Sequence, residues 1–158
     1  MTTGVARPER AGPAAPLDRA TILSTAVTLV DAHGLASLNM RALARELGVG
    51  TMSLYHYVPN KDALLDGIVE VLNEEIEIPE PTSGPWDERA RRMARSLREV
   101  ALKHRNCVPL LVTRPFSTEA ALRPCEAAFQ VLTDVGLGPD QSIVTLRTFV
   151  AYVLGFVM

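Results

Sequence analysis

Between Thr51 and Lys61 the chain reads TMSLYHYVPNK. Thr51, Ser53, Tyr55 and Tyr57 bring hydroxyls that both donate and accept hydrogen bonds, Met52 brings a soft apolar side chain, and Lys61 a cation. Such groups suit the edges of bases in a DNA groove and the phosphates beside them. The other chemistry this region could do is poorly supported. Ser53 and His56 stand three apart on one short helix, with no third group to orient them and no nucleophile elbow. The Gly48-Val49-Gly50 turn follows a helical pattern rather than a strand and lacks a third glycine, which excludes a dinucleotide loop. Cys107 and Cys125 make neither a disulfide framework nor a metal cluster, and no His, Cys and carboxylate group has metal-ligand spacing. The expectation is therefore no catalytic residue, no metal and no cofactor, with two buried free thiols in a reducing cytoplasm.

A reader of base edges needs a mount. The pattern predicts a third helix over about Thr51 to Tyr57, stopped before Pro59, and a helix that short is unstable alone in water. A second helix runs from an Asn39 cap to Leu47, with Gly48 as its stop. A connection of about three residues forces the two to cross steeply, as in a helix-turn-helix. Ala44 is small where they would touch, and Val49 and Leu54 can fill the junction. Before them, Asp18 caps a first helix, Leu17 can staple to Ile22, and Ile22, Ala26, Leu29 and Val30 form one apolar stripe up to Gly34. A fourth helix begins at Asn60 and carries Leu64, Leu65, Ile68, Val71 and Leu72. Lys61 falls in its first turn, where a cation opposes the macrodipole by about 0.3–1 kcal/mol. A phosphate bound there would repay that, because a helix N-terminus and a lysine both attract it.

The segment LDRATILSTAVTLVDAHGLASLNMRALARELGVGTMSLYHYVPNKDALLDGIVEVL, residues 17–72, resembles the DNA-binding domain of the tetracycline-repressor (TetR) family. The identifying run is RALARELGVGTMSLYHYVPNKDALL. The resemblance implies that the third helix enters the major groove. Arg41, Thr51, Met52, Ser53, Tyr55 and Tyr57 would then contact DNA, Lys61 would hold a phosphate, and Arg7 and Arg10 in the tail could add contacts.

Pro79, Pro81, Gly84 and Pro85 interrupt the helical pattern. Residues 1–16 are thus expected to be a flexible tail, 17–78 a DNA-binding domain, and 85–158 an effector-binding and dimerising bundle. A fifth helix puts Trp86, Ala90, Met93, Leu97, Val100 and Ala101 on one face, with Arg89, Arg92 and Arg95 on an opposite, solvated face. Two short helical pieces are expected to flank Pro109 to Pro115. Another helix runs from about Ala120 to Val135, and a last one from Pro139 to Met158. From Trp86 onward the resemblance is to the branch nearest the tetracycline repressors, carried by Trp86, Lys103-His104-Arg105 and Thr113-Arg114-Pro115. Glu77, Met93 and Leu97 stand roughly where those repressors place His, Asn and Phe, which points to a different, more apolar effector. Candidate effector contacts are Met93, Leu97, Val100, His104, Leu111, Arg114, Phe116, Phe129 and Tyr152. Arg114 is the sharpest, because a guanidinium is costly to bury unless an anion or carbonyl pairs with it.

At the level of the whole chain, 158 residues with 47% apolar content can bury a core, and no alternating strand pattern appears. The fold expected is all-α. Sixteen basic and eighteen acidic residues nearly cancel, but residues 62–84 hold seven acidic and no basic side chains. A local basic face is enough for nucleic acid. The longest apolar run, of about ten residues, is too short to cross a bilayer, and no secretory signal is evident. The last helix is apolar on every side and so must be covered on every side. It ends at Met158 without a cap, and the expectation is a bundle whose further helices are missing. The function expected is a ligand-responsive regulator, a cytoplasmic homodimeric repressor released from a palindromic double-stranded operator by a small molecule. The alternative is a helical protein-interaction module that has lost DNA binding.

Overall fold

Asp18 starts the first helix by accepting the Thr21 N–H at 2.7 Å, a bond that holds its carboxyl below the usual range. Asn39, Asn60 and Thr118 repeat the device on the N–H groups of Ala42, Ala63 and Ala121. These caps satisfy donors that a helix cannot satisfy internally. The computed structural model describes residues 17–115 and 118–157. Its helices are α1 (Arg19–His33), α2 (Met40–Glu46), α3 (Thr51–Tyr55), α4 (Lys61–Glu74), α5 (Trp86–Lys103), α6 (Val108–Thr113), α7 (Glu119–Asp134) and α8 (Pro139–Gly155), with a 3-10 turn at Leu35–Ser37. No strand occurs among the described residues, and the fold is all-α.

α4 is the hub. It packs on α1 on one side and on α6 and α7 on the other. Its Leu64, Ile68 and Leu72 are fully buried, and they belong to one apolar cluster that runs from Ile22 and Val30 through to Val108 and Leu154. At the α1–α4 crossing, Gly67 leaves room for the Leu23 side chain, which a β-carbon there would strike. A polar joint closes the other end. The buried His104 ring places Nδ1 2.6 Å from Asp31 Oδ2 on α1 and Nε2 3.2 Å from Glu75 Oε2 after α4. Lys103 donates to Glu75 and Asn106 to the Asp31 carbonyl. Burial pushes the Glu75 carboxyl up, but the bonds from Lys103 and His104 carry it below its ordinary value.

Three expectations change. α3 stops at Tyr55, and Tyr57 lies in the turn that follows, where the N–H groups of Tyr57 and Val58 both donate to the Leu54 carbonyl. One helix, α6, occupies the region expected to separate two, because Pro109 sits in its first turn, where a missing N–H costs nothing. Arg89 is not on a solvated face: it is 5% exposed and pairs with Asp134 at 2.6 Å, because α7 covers that side of α5.

Candidate nucleic-acid interface and the cavity behind it

The corner between α2 and α3 is built from both sides. Leu43, Ala44 and Leu54 are buried in it, Gly48 adopts a left-handed φ of 67°, and the Val49 N–H donates back to the Ala44 carbonyl at 3.0 Å. With Leu54 as the anchor, the rest of α3 faces out. Met52 is 75% exposed, Tyr55 and Tyr57 are exposed, and Thr51 and Ser53 are half-buried. An apolar side chain that open to water is not there for the core. Arg41 on α2 and Lys61 at the start of α4 are exposed, and neither makes an ion pair among the described residues. The seven predicted DNA contacts thus sit on α2, on α3 and its following turn, and at the first residue of α4. Arg7 and Arg10 lie outside the described residues.

Behind α4 lies a partly open apolar pocket. Met93 and Leu97 from α5 and Leu111 from α6 line it, together with Asn73 and Ile76 near the end of α4, Pro124, Cys125 and Ala128 from α7, and Leu146 and Phe149 from α8. A second lobe shares Met93, Ala128, Leu146 and Phe149 with the first and opens toward Trp86 and Val131. Burial and the neighbouring Glu126 charge raise the Cys125 thiol, which therefore stays protonated near neutral pH. Cys107 lies away from the cavity; burial and Asp31 push its thiol up to about 12.

The other predicted effector contacts are placed elsewhere. Val100 is core. His104 belongs to the polar joint. Phe129 is half-buried on α7 without lining the cavity. Tyr152 is exposed and meets Phe156 edge to face at 4.9 Å between ring centres. Phe116 lies outside the described residues. Arg114 has the anionic partners its type demands, but they are protein groups: Nε donates to Asp66 Oδ1 at 2.7 Å and Nη1 to Asp62 Oδ1 at 3.3 Å. Those bonds tie the end of α6 to the first turns of α4, next to Lys61. Asn73, Cys125 and Phe149 were not picked out from the sequence. Asn73 carried a usable signal, as an amide embedded among the apolar residues of α4.

Residues 22–68 match the family described as bacterial regulatory proteins, tetR family, and residues 78–158 match the tetracyclin repressor-like C-terminal domain. The chain belongs to the TetR family. Among its relatives in the family is the HTH-type transcriptional repressor DrrR1 of Streptomyces coeruleorubidus, 33% identical over 150 residues that cover 94% of this chain and 55% of that one. The chain therefore spans little more than half the length of this TetR-family relative. Among solved TetR-family structures, ActR of Streptomyces coelicolor in complex with actinorhodin aligns with a TM-score of 0.81 and 34% identity, over 90% of this chain and 68% of that one. BioQ bound to its natural double-stranded DNA operator aligns with a TM-score of 0.73 and 27% identity, over 89% and 86% of the two chains. No described helix is long and apolar enough to cross a membrane.

Proposed function

We propose that this TetR-family chain is a ligand-responsive transcriptional repressor, with residues 17–78 reading a palindromic operator as one half of a homodimer and residues 85–158 receiving an effector. The observation that carries this reading is the outward surface of α3 and the turn after it, where Met52, Tyr55 and Tyr57 stand exposed, with Arg41 and Lys61 exposed as well and making no ion pair among the described residues. The operator bound to BioQ and the actinorhodin bound to ActR support the two halves of the reading by likeness.

The link between the halves is mechanical. An effector in the cavity presses on Leu111 of α6, on Asn73 of α4 and on Ile76 just beyond it. Arg114, three residues beyond Leu111, holds Asp62 and Asp66. A shift of α6 therefore pulls on the first turns of α4 and re-aims Lys61 and the corner it supports. A dimer whose recognition helices are then misaligned with two half-sites loses its operator, because specific affinity depends on that spacing. The ligand need only prefer the released state.

The test is a gel-shift selection on genomic fragments, followed by Tyr55→Ala and Lys61→Ala on the best fragment. Both variants are expected to remain folded by circular dichroism and to bind at least tenfold more weakly. Undiminished binding by both overturns the site. A wild-type chain without salt-dependent affinity for any duplex overturns the function, in favour of a protein-interaction module.

A further inference from the structure

The lining of the cavity specifies its occupant more narrowly than the function does. Across both lobes, no Asp, Glu, Lys, Arg or His is among the described lining residues. A charged ligand group would enter with nothing to pair with, which is prohibitive in an apolar site. A divalent metal would find only the Asn73 amide, the Thr145 hydroxyl and a thiol held in its protonated form. Hard cations need several oxygen ligands, usually with carboxylates among them. No group of three His, Cys, Asp or Glu among the described residues could hold a metal.

The shape is as informative. The two lobes are adjacent, sharing Met93, Ala128, Leu146 and Phe149 in their linings, so a ligand that reaches both is elongated and passes these side chains of α5, α7 and α8. One end of that path reaches Asn73, which is 5% exposed. Asn73 donates one amide hydrogen to the Val69 carbonyl at 2.8 Å. Its second N–H and its Oδ1 make no hydrogen bond among the described residues. A buried amide with capacity to spare, at the end of an otherwise apolar slot, is the kind of group that fixes a ligand's direction.

We propose that the effector is an uncharged, elongated, largely apolar molecule that binds without a metal and orients one carbonyl or hydroxyl on Asn73. This rests on the cavity being the effector site of the proposed function.

Nile red, an uncharged fused-ring dye with one carbonyl, is a suitable probe, with the sulfonate dye 8-anilino-1-naphthalenesulfonate as its charged counterpart. Nile red fluorescence is expected to saturate at one dye per chain, unchanged by EDTA. Asn73→Leu is expected to weaken it about tenfold, the order of one buried hydrogen bond. Leu146→Trp, which fills the junction of the lobes, is expected to abolish it. Cys125 supplies a readout without any variant: bound Nile red should slow its reaction with a thiol reagent severalfold, while Cys107, fully buried, stays unreactive. Tighter saturable binding of the sulfonate dye, magnesium-dependent binding of tetracycline, or Nile red binding that neither protects Cys125 nor responds to Asn73→Leu overturns the proposal. DNA release is scored separately. Saturable Nile red binding on a chain whose operator affinity no ligand changes defeats the regulatory reading and leaves the ligand chemistry standing.

Discussion

At the scale of single residues, the interface owes its chemistry to what is left unpaired. Arg19, Arg91, Arg92 and Lys103 all have acidic partners, whereas Lys61 has none among the described residues and stands at a helix N-terminus, where its charge is otherwise unfavourable. Lys61→Ala should therefore weaken DNA binding about equally across sequences and lower the log–log salt slope by about one, measured by fluorescence anisotropy between low and moderate salt. Asp134 shows the opposite case. The hydrogen bonds from Arg89 and Gln130 hold its carboxyl below its ordinary value of 3.8. A depressed folded value means that its stabilisation is present above that ordinary value and is lost as pH falls through the folded one. Asp134→Asn should thus lower the melting temperature near neutral pH and flatten its fall below about pH 4, as read by thermal melts across a pH series.

At the scale of elements, α3 exists only because its neighbours hold it. Five residues cannot be helical in isolation; Leu54 anchors it, and the left-handed Gly48 sets its angle to α2. Gly48→Ala places a β-carbon on a backbone of φ 67°, at a cost of about 1–2 kcal/mol. The expected result is a lower denaturation midpoint and a larger loss of DNA affinity than stability alone explains, since the corner re-aims α3. The caps at Asp18, Asn39 and Asn60 could be read from sequence because capping is local: a side chain reaches an N–H three residues on, whatever the rest of the chain does. The end of α3 was misjudged by two residues, because Tyr57 keeps the helical spacing while its N–H has already joined the terminal turn.

At the scale of the molecule, α4 runs between the candidate reading surface and the cavity, and Arg114 ties α6 to its first turns, the strap of the proposed mechanism. Arg114→Ala should leave Nile red binding unchanged and operator affinity within severalfold, but reduce ligand-driven release by tenfold or more; competition gel shifts against bound ligand measure this. Val144 and Tyr152 of α8, with Phe156 just beyond it, are exposed apolar side chains that the proposed homodimer would cover. Val144→Glu is expected to shift sedimentation of the chain toward monomer.

The all-α fold and the α2–α3 corner were legible in residue order, because caps, glycine stops and helical spacing act over four residues or fewer; the candidate reading residues followed only from the family resemblance. Which core-facing side chains border empty space was not legible. Val100 and Leu97 share one stripe of α5, yet Leu97 lines the cavity and Val100 is packed core. Arg89 and Arg114 found their acids 45 and 48 residues away. Periodicity says that a side chain points inward, but whether it meets an atom, a charge or a void depends on how separate helices come together in space.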